Sequence, residues 1–120
     1  MNILILGSGI VGANLAKKLS EQGKNVYLID DNTDELNSLS EKFDIKIIND
    51  DPLDPQFYKN FKEDINYFIA VTKSDEKNIL SCKFAKDYLG VDKTIARIRN
   101  QNLINESSDR EFKASNEFLD

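Results

Sequence analysis

Three glycines, Gly7, Gly9 and Gly12, stand between an apolar run and a helix-periodic stretch in ILILGSGIVGANLAKKLSEQG, Ile3 to Gly23. G-x-G-x-x-G in that setting constrains the chain more than any other feature, because each glycine answers a different steric demand. Gly7 permits a tight turn off a strand, Gly9 lets main chain approach a pyrophosphate, and Gly12 lets the next helix pack closely. Ser8, Ile10 and Val11 complete the cradle, whose bare amides at the helix start face a bound anion with the helix dipole behind them. Alone, the pattern is weak. It gains force from an acid ending a second strand about 20 residues on. Asp30 closes VYLID, eighteen positions past Gly12, and its carboxylate can accept hydrogen bonds from both ribose hydroxyls of an adenosine. With Asp31 beside it and no arginine nearby, a 2′-phosphate is disfavoured by repulsion, and NADP with it. The competing reading is a turn used only for close packing, with Asp30 a solvated loop acid.

The rest of the chain continues the same alternation. Asn2–Leu6 reads as a strand buried on both faces. Ile10–Gln22 reads as a helix with Val11, Leu15, Ala16 and Leu19 inward and Gly23 as its stop. Val26–Ile29 and Ile45–Ile48 are further strands, separated by a helix from Asn32 or Thr33 to Lys42. The loop DDPLDP, Asp50 to Pro55, holds both prolines and leads into a short helix ending at Phe61. Tyr67–Val71 is a fourth strand. Ser74 or Asp75 caps a helix over Glu76–Leu89, with Ile79, Leu80, Cys82, Ala85 and Leu89 inward and Gly90 at its end. Thr94–Ile98 is a fifth strand. Short connections between alternating strands and helices predict an α/β, three-layer Rossmann fold: a doubly wound parallel sheet of five to six strands in the order 3-2-1-4-5. The nucleotide-binding domain is expected over residues 1–100. Residues 101–120 form a polar tail in which no sixth strand is obvious.

Several other residues fall near the C-terminal ends of the strands, where the crevice of such sheets lies. Thr72, after the fourth strand, can bond phosphate or ribose, or cap its own turn. Asn49, after the third, can meet an adenine edge or serve the turn. Arg97 and Arg99 share one face of the fifth strand, and Arg99 can reach a phosphate or a partner subunit; a surface ion pair is the plain alternative. Asp50, Asp51 and Asp54 can gather a hard cation or form a solvated acidic loop. Cys82 reads as a small core residue.

Composition narrows the function. The net charge of −5 carries no dense basic cluster, which argues against nucleic acid. With no histidine and one cysteine, the usual transition-metal ligands, the commonest general base and any internal disulfide are missing. The longest apolar runs, Ile3–Leu6 and Phe68–Val71, are strand-sized, far below the roughly 20 residues that span a bilayer. A signal peptide and direct membrane insertion are not expected, and the cytoplasm is. A dehydrogenase also needs an acid or base against the nicotinamide. Histidine is missing, and of Tyr27, Tyr58, Tyr67 and Tyr88 only Tyr58, in the short helix before the fourth strand, has a lysine four residues on, Lys62. Catalysis by this chain is not expected.

ILILGSGIVGANLAKKL, VYLIDDNTDEL, FIAVTKSDEKNILSCKFAKDYLG and KTIARIRN together resemble the N-terminal nucleotide-binding domain of potassium-transport regulators. These are the RCK, or Trk N-terminal, domains of Trk and Ktr peripheral subunits and of ligand-gated potassium channels. The likeness covers about Asn2–Asn100, and AVT-x-x-DE-x-N and T-I-A-R-I-R-N are its most particular segments. It implies a cytosolic regulator, peripheral to the inner face of the membrane, that binds NAD, NADH or an adenine nucleotide such as ATP or ADP. It further implies a homodimer or larger ring that gates a membrane potassium transporter or channel without turnover. By position, Gly7, Gly9 and Gly12 match the phosphate loop, Asp30 the ribose acid, and Thr72 the residue beside the ligand. Asn49, Arg97 and Arg99 match positions near the crevice or the dimer contact. Two departures stand out: Asp50 replaces a frequent glycine, and Ile10 replaces the arginine of ATP-preferring members, which favours NAD(H). The C-terminal ligand-binding domain is absent from these residues, so the chain reads as an excised fragment. The alternative is the cofactor-binding domain of a small NAD-dependent oxidoreductase.

Overall fold

The computed structural model describes residues 1–7, 9–30, 33–105 and 116–119. In chain order these form β1 (Asn2–Leu6), α1 (Ile10–Glu21), β2 (Asn25–Ile29), α2 (Thr33–Lys42), β3 (Ile45–Ile48) and α3 (Pro55–Asn60). They continue with β4 (Tyr67–Ala70), α4 (Asp75–Phe84), β5 (Lys93–Arg97), α5 (Gln101–Asn105) and β6 (Asn116–Leu119). The strands make one sheet in the order β3-β2-β1-β4-β5-β6, every neighbouring pair parallel. The expected Rossmann-like architecture is present, and its order reverses between β1 and β4.

Side-chain alternation explains the layers. Along β1, Ile3 and Ile5 point to one face, where they pack with Val26, Leu28, Ile69 and Val71 beneath Ala16 of α1 and Leu39 of α2. Leu4 and Leu6 point to the other, joining Tyr27, Ile29, Phe68 and Ala70 beneath Phe57 and Tyr58 of α3 and Cys82 of α4. A strand apolar at every position therefore needs cover on both faces, and each fully buried Leu or Ile contributes about 1.5–3 kcal/mol. The proline loop is held from below: the buried Tyr58 hydroxyl donates to the Pro52 carbonyl at 2.7 Å.

Three expectations change. Asn116–Leu119 forms a sixth strand on β5, in register from Thr94↔Asn116 to Arg97↔Leu119, where the sequence shows no obvious strand. An edge strand is held along one flank by main-chain hydrogen bonds, so it needs no long apolar run to announce it. Leu80, expected inward, is 42% exposed. The buried stripe of α4 runs through Asn78, Ser81, Cys82 and Ala85, and Leu80 lies two residues from both Asn78 and Cys82, on the far side of the helix. Val11 is likewise 41% exposed, on the opening turn of α1. The α4 segment also ends in a single π-helical turn, Ala85–Leu89, before Gly90 stops it at φ 64°. Among the described residues, no helix is long and apolar enough to cross a membrane.

Candidate functional site

The glycine turn sits where β1 and β4 end side by side. Gly7 has φ +121°, and a Cβ there would stand 3.2 Å from the Thr72 nitrogen and the Val71 carbonyl. Only glycine fits both the angle and the space. A Cβ on Gly12 would collide with the Gly7 carbonyl and touch Val71 Cγ2 at 3.4 Å, so the missing side chain lets α1 close over the turn. Gly9 is different. Its φ of −66° suits any residue, but nothing lies within 4 Å of where its Cβ would be. The turn therefore presents main chain to open space.

The start of α1 is also bare. Gly9 provides no capping side chain, and the first turn holds no acid. The first donor carried into the helix ladder is the Ala13 N–H, which reaches the Gly9 carbonyl at 2.8 Å. The N–H groups before it have no intrahelical acceptor, and the positive end of the dipole lies with them. Ile10, 82% exposed, and Val11 flank this end without covering it by charge.

Asp30 is brought to the same level. Leu6 pairs with Ile29, and the Gly7 N–H donates to the Ile29 carbonyl at 3.1 Å. Asp30, partly buried, is the next residue along β2. Glycine turn and acid thus adjoin across neighbouring strands, as their spacing predicts. Ser8 and Asp31 lie outside the described residues.

Other candidates are placed less centrally. Asn49 and Asp50 are exposed after β3, the edge strand beyond β2. Asp50 helps line a cavity of about 410 Å3 with Ile48, Asp54, Phe57 and Phe61, which none of the glycine-turn residues line. The loop acids serve their own backbone: Asp50 accepts from the Asp51 N–H at 2.7 Å, Asp51 from Leu53 at 2.9 Å, and Asp54 from Gln56 at 2.9 Å. Among the described residues, no three potential ligands gather to hold a metal ion.

Thr72 does reach the crevice, but its hydroxyl turns away. It lies 2.6 Å from Asn78 Oδ1 and 3.2 Å from the Ser74 carbonyl, and it accepts the Ser74 N–H at 3.2 Å. This is the turn-capping geometry, so what Thr72 presents to the crevice is its peptide against Gly7. Arg97 is partly buried and Arg99 exposed. Both Arg99 and Asn100 donate their N–H groups to Asp75, at 3.0 and 2.8 Å. The Arg99 N–H holds the Asp75 carboxyl below the usual carboxylate range; the Asn100 N–H and the charges of Arg99 and Arg97 add to this, against desolvation. Cys82 is in the core as expected, and burial pushes its thiol up.

Two residues have roles that the sequence did not assign: Asn78, present only as the end of AVT-x-x-DE-x-N, and Asp75, weighed only as a helix cap. Asn78 is fully buried, four residues after the α4 cap Ser74. A polar residue on the apolar stripe of a helix was the available signal.

Against known proteins, the TrkA-N domain family matches residues 3–111. The Trk system potassium uptake protein TrkA of Haemophilus influenzae is 33% identical over 117 residues, covering 97% of this chain and 25% of that protein. The chain spans about a quarter of the length of the curated relatives it first matches. Two solved structures share the fold. The NAD(P)-binding domain of an exopolyphosphatase-related protein from Archaeoglobus fulgidus superposes with TM-score 0.78 at 22% identity, over 98% of this chain and 84% of that one. The GsuK channel bound to NAD superposes with TM-score 0.76 at 19% identity, over 98% of this chain and 21% of that one. A glycine turn opening on bare amides, an acid level with it and a family match over nearly the whole length converge: this chain belongs to the TrkA-N domain family.

Proposed function

We propose that this domain binds NAD or NADH at the β1–α1 turn and acts, without turnover, as the sensing part of a regulator of a membrane potassium transporter or channel. The observation that carries the reading is the uncapped, acid-free start of α1 facing open space at Gly9, with Asp30 one strand away. That cradle fits a diphosphate: amides and a helix dipole meet the anion, and a side chain at Gly9 would occupy the ligand's space. Asp30 would take the ribose hydroxyls and the Val71–Thr72 peptide would border the diphosphate. Asn49 and Asp50 would lie toward the adenine, and Arg99 toward the far side or a partner subunit. NAD(H) is favoured over ATP or ADP because Ile10 brings no charge to a terminal phosphate.

The name shared by the curated relatives, a potassium uptake protein, supports the transport role, and the NAD-bound channel of the same fold supports the ligand. A cytoplasmic homodimer or larger ring attached to the membrane through its partner belongs to the same proposal. A ligand shifts such an assembly only by its difference in affinity between two states. The fold is also used by NAD-dependent enzymes, but this chain has no histidine to act as base. Calorimetric titration with NAD, NADH, ATP and ADP is the test. Saturable heat with NAD or NADH, tighter than with ATP or ADP, is expected; silence with all four nucleotides removes the proposal.

A further inference from the structure

We propose that Asn78 is a positioning residue that ties the ligand-facing end of β4 to the exit of β5, so that occupancy of the glycine turn is felt at Arg99 and Asn100. The inference rests on the nucleotide reading and adds how the bound state leaves the crevice. The Asn78 amide has two acceptor lone pairs and two hydrogens, and all four are taken. Oδ1 accepts the Thr72 N–H at 3.0 Å and the Thr72 hydroxyl at 2.6 Å. Nδ2 donates to the Thr72 carbonyl at 3.0 Å and to the Arg97 carbonyl at 2.8 Å. One fully buried side chain therefore grips Thr72, the second residue past β4, on three sides and the last residue of β5 on the fourth.

The chain of contact is continuous in both directions. Toward the crevice, the Val71–Thr72 peptide lies against Gly7, close enough that a Cβ there would stand 3.2 Å away. Away from it, the first turn of α4 carries Asp75, whose two oxygens hold the N–H groups of Arg99 and Asn100. The Asn100 side chain in turn accepts the Asn102 N–H at 3.0 Å, and its carbonyl accepts the Leu103 N–H at 3.0 Å, which opens α5. A fully satisfied buried amide has no spare partner to switch to. A displacement of Thr72 must then either break one of the four bonds or carry α4, and with it Asp75, along. A plain packing residue at position 78 would offer no such directional link.

Residue-resolved hydrogen exchange on the whole chain, with and without saturating NAD, tests this. In the wild type, NAD should slow exchange at Gly9–Ala13 and also change it at Arg99, Asn100 and Leu103. Asp75→Ala releases the β5 exit from a partly buried position, leaving Asn78 and Thr72 intact. It should hold NAD affinity within about threefold while abolishing the response at Arg99 and Asn100. Asp75→Asn, which keeps one acceptor oxygen, should restore part of it. Asn78→Asp, which sets an oxygen against two carbonyls, should uncouple the same two amides from ligand. Protection at Gly9–Ala13 with no change at Arg99 and Asn100 in the wild type overturns this inference alone. So does a full response surviving in Asp75→Ala. Absence of any protection by NAD in the wild type overturns the binding reading and this one together.

Discussion

The helices α1 and α4 begin at the same edge of the sheet, after the adjacent strands β1 and β4, and their first turns are built oppositely. At α4, Ser74 caps through its hydroxyl, which accepts the Lys77 N–H at 3.2 Å, and Asp75 and Glu76 place acids in the first turn. At α1 the cap is a glycine, no acid follows, and an apolar Ile10 stands in solvent. Two equivalent dipole ends thus receive opposite treatment. One is neutralised by its own chain and used to hold β5; the other is left for an anion from outside. An unfilled helix start beside a filled one is more informative than either alone, because the fold evidently has the residues to close it.

The largest effect should come from closing the gap that α1 needs. Gly12→Ala drives a methyl into the Gly7 carbonyl, and a loss of about 3 kcal/mol of stability is expected in urea unfolding, with nucleotide binding lost as well. An unchanged midpoint would show that the turn can retreat. Asp30→Ala should weaken NAD by about 1.5–3 kcal/mol through lost charge-assisted hydrogen bonds. Unaltered calorimetric affinity would mean the ribose is held elsewhere.

Ile10→Asp gives α1 the acid that α4 already has, at a position 82% exposed. It should weaken anion binding by about 1 kcal/mol while raising thermal stability slightly, and the two must move in opposite directions. Ser74→Ala, the reciprocal change, should remove about 1 kcal/mol of stability and leave NAD affinity alone. The smallest effect is set by pH. The folded Asp75 carboxyl titrates below the unfolded value of about 3.9. Its bonds to Arg99 and Asn100 therefore contribute in full above that value and are lost as pH falls through the lower, folded one. Urea midpoints compared at pH 6 and pH 3 should fall further for the wild type than for Asp75→Asn.

What was legible and what was not follows the range of the interactions. The strands β1, β2 and β4 can be read because burial on both faces leaves unbroken apolar runs such as ILIL and YFIA, whereas β3 (IKII) and β5 (KTIAR) are only partly buried and are read from their β-branched residues and spacing. The glycine turn can be read because steric demands at Gly7 and Gly12 exclude every other residue. Asp30 follows from counting, since parallel strands joined by one helix end level. Thr72 was placed at the right strand end, yet both uses of its hydroxyl remained open. The choice depended on Asn78, six residues on, being turned inward.

By itself, then, the sequence determined the layered parallel sheet, the bare loop after β1 and the acid level with it. Each of these is enforced locally, by periodicity or by the absence of a side chain. Only the tertiary structure decided that Ser74 rather than Asp75 caps α4, that β6 completes the sheet, and that Asn78 and Asp75 bind the exits of β4 and β5 together. Those bonds join side chains to backbone 19 and 24 residues away. A hydrogen bond of that kind has no period and no composition to betray it; it exists only once the packed core has brought the two strand ends side by side.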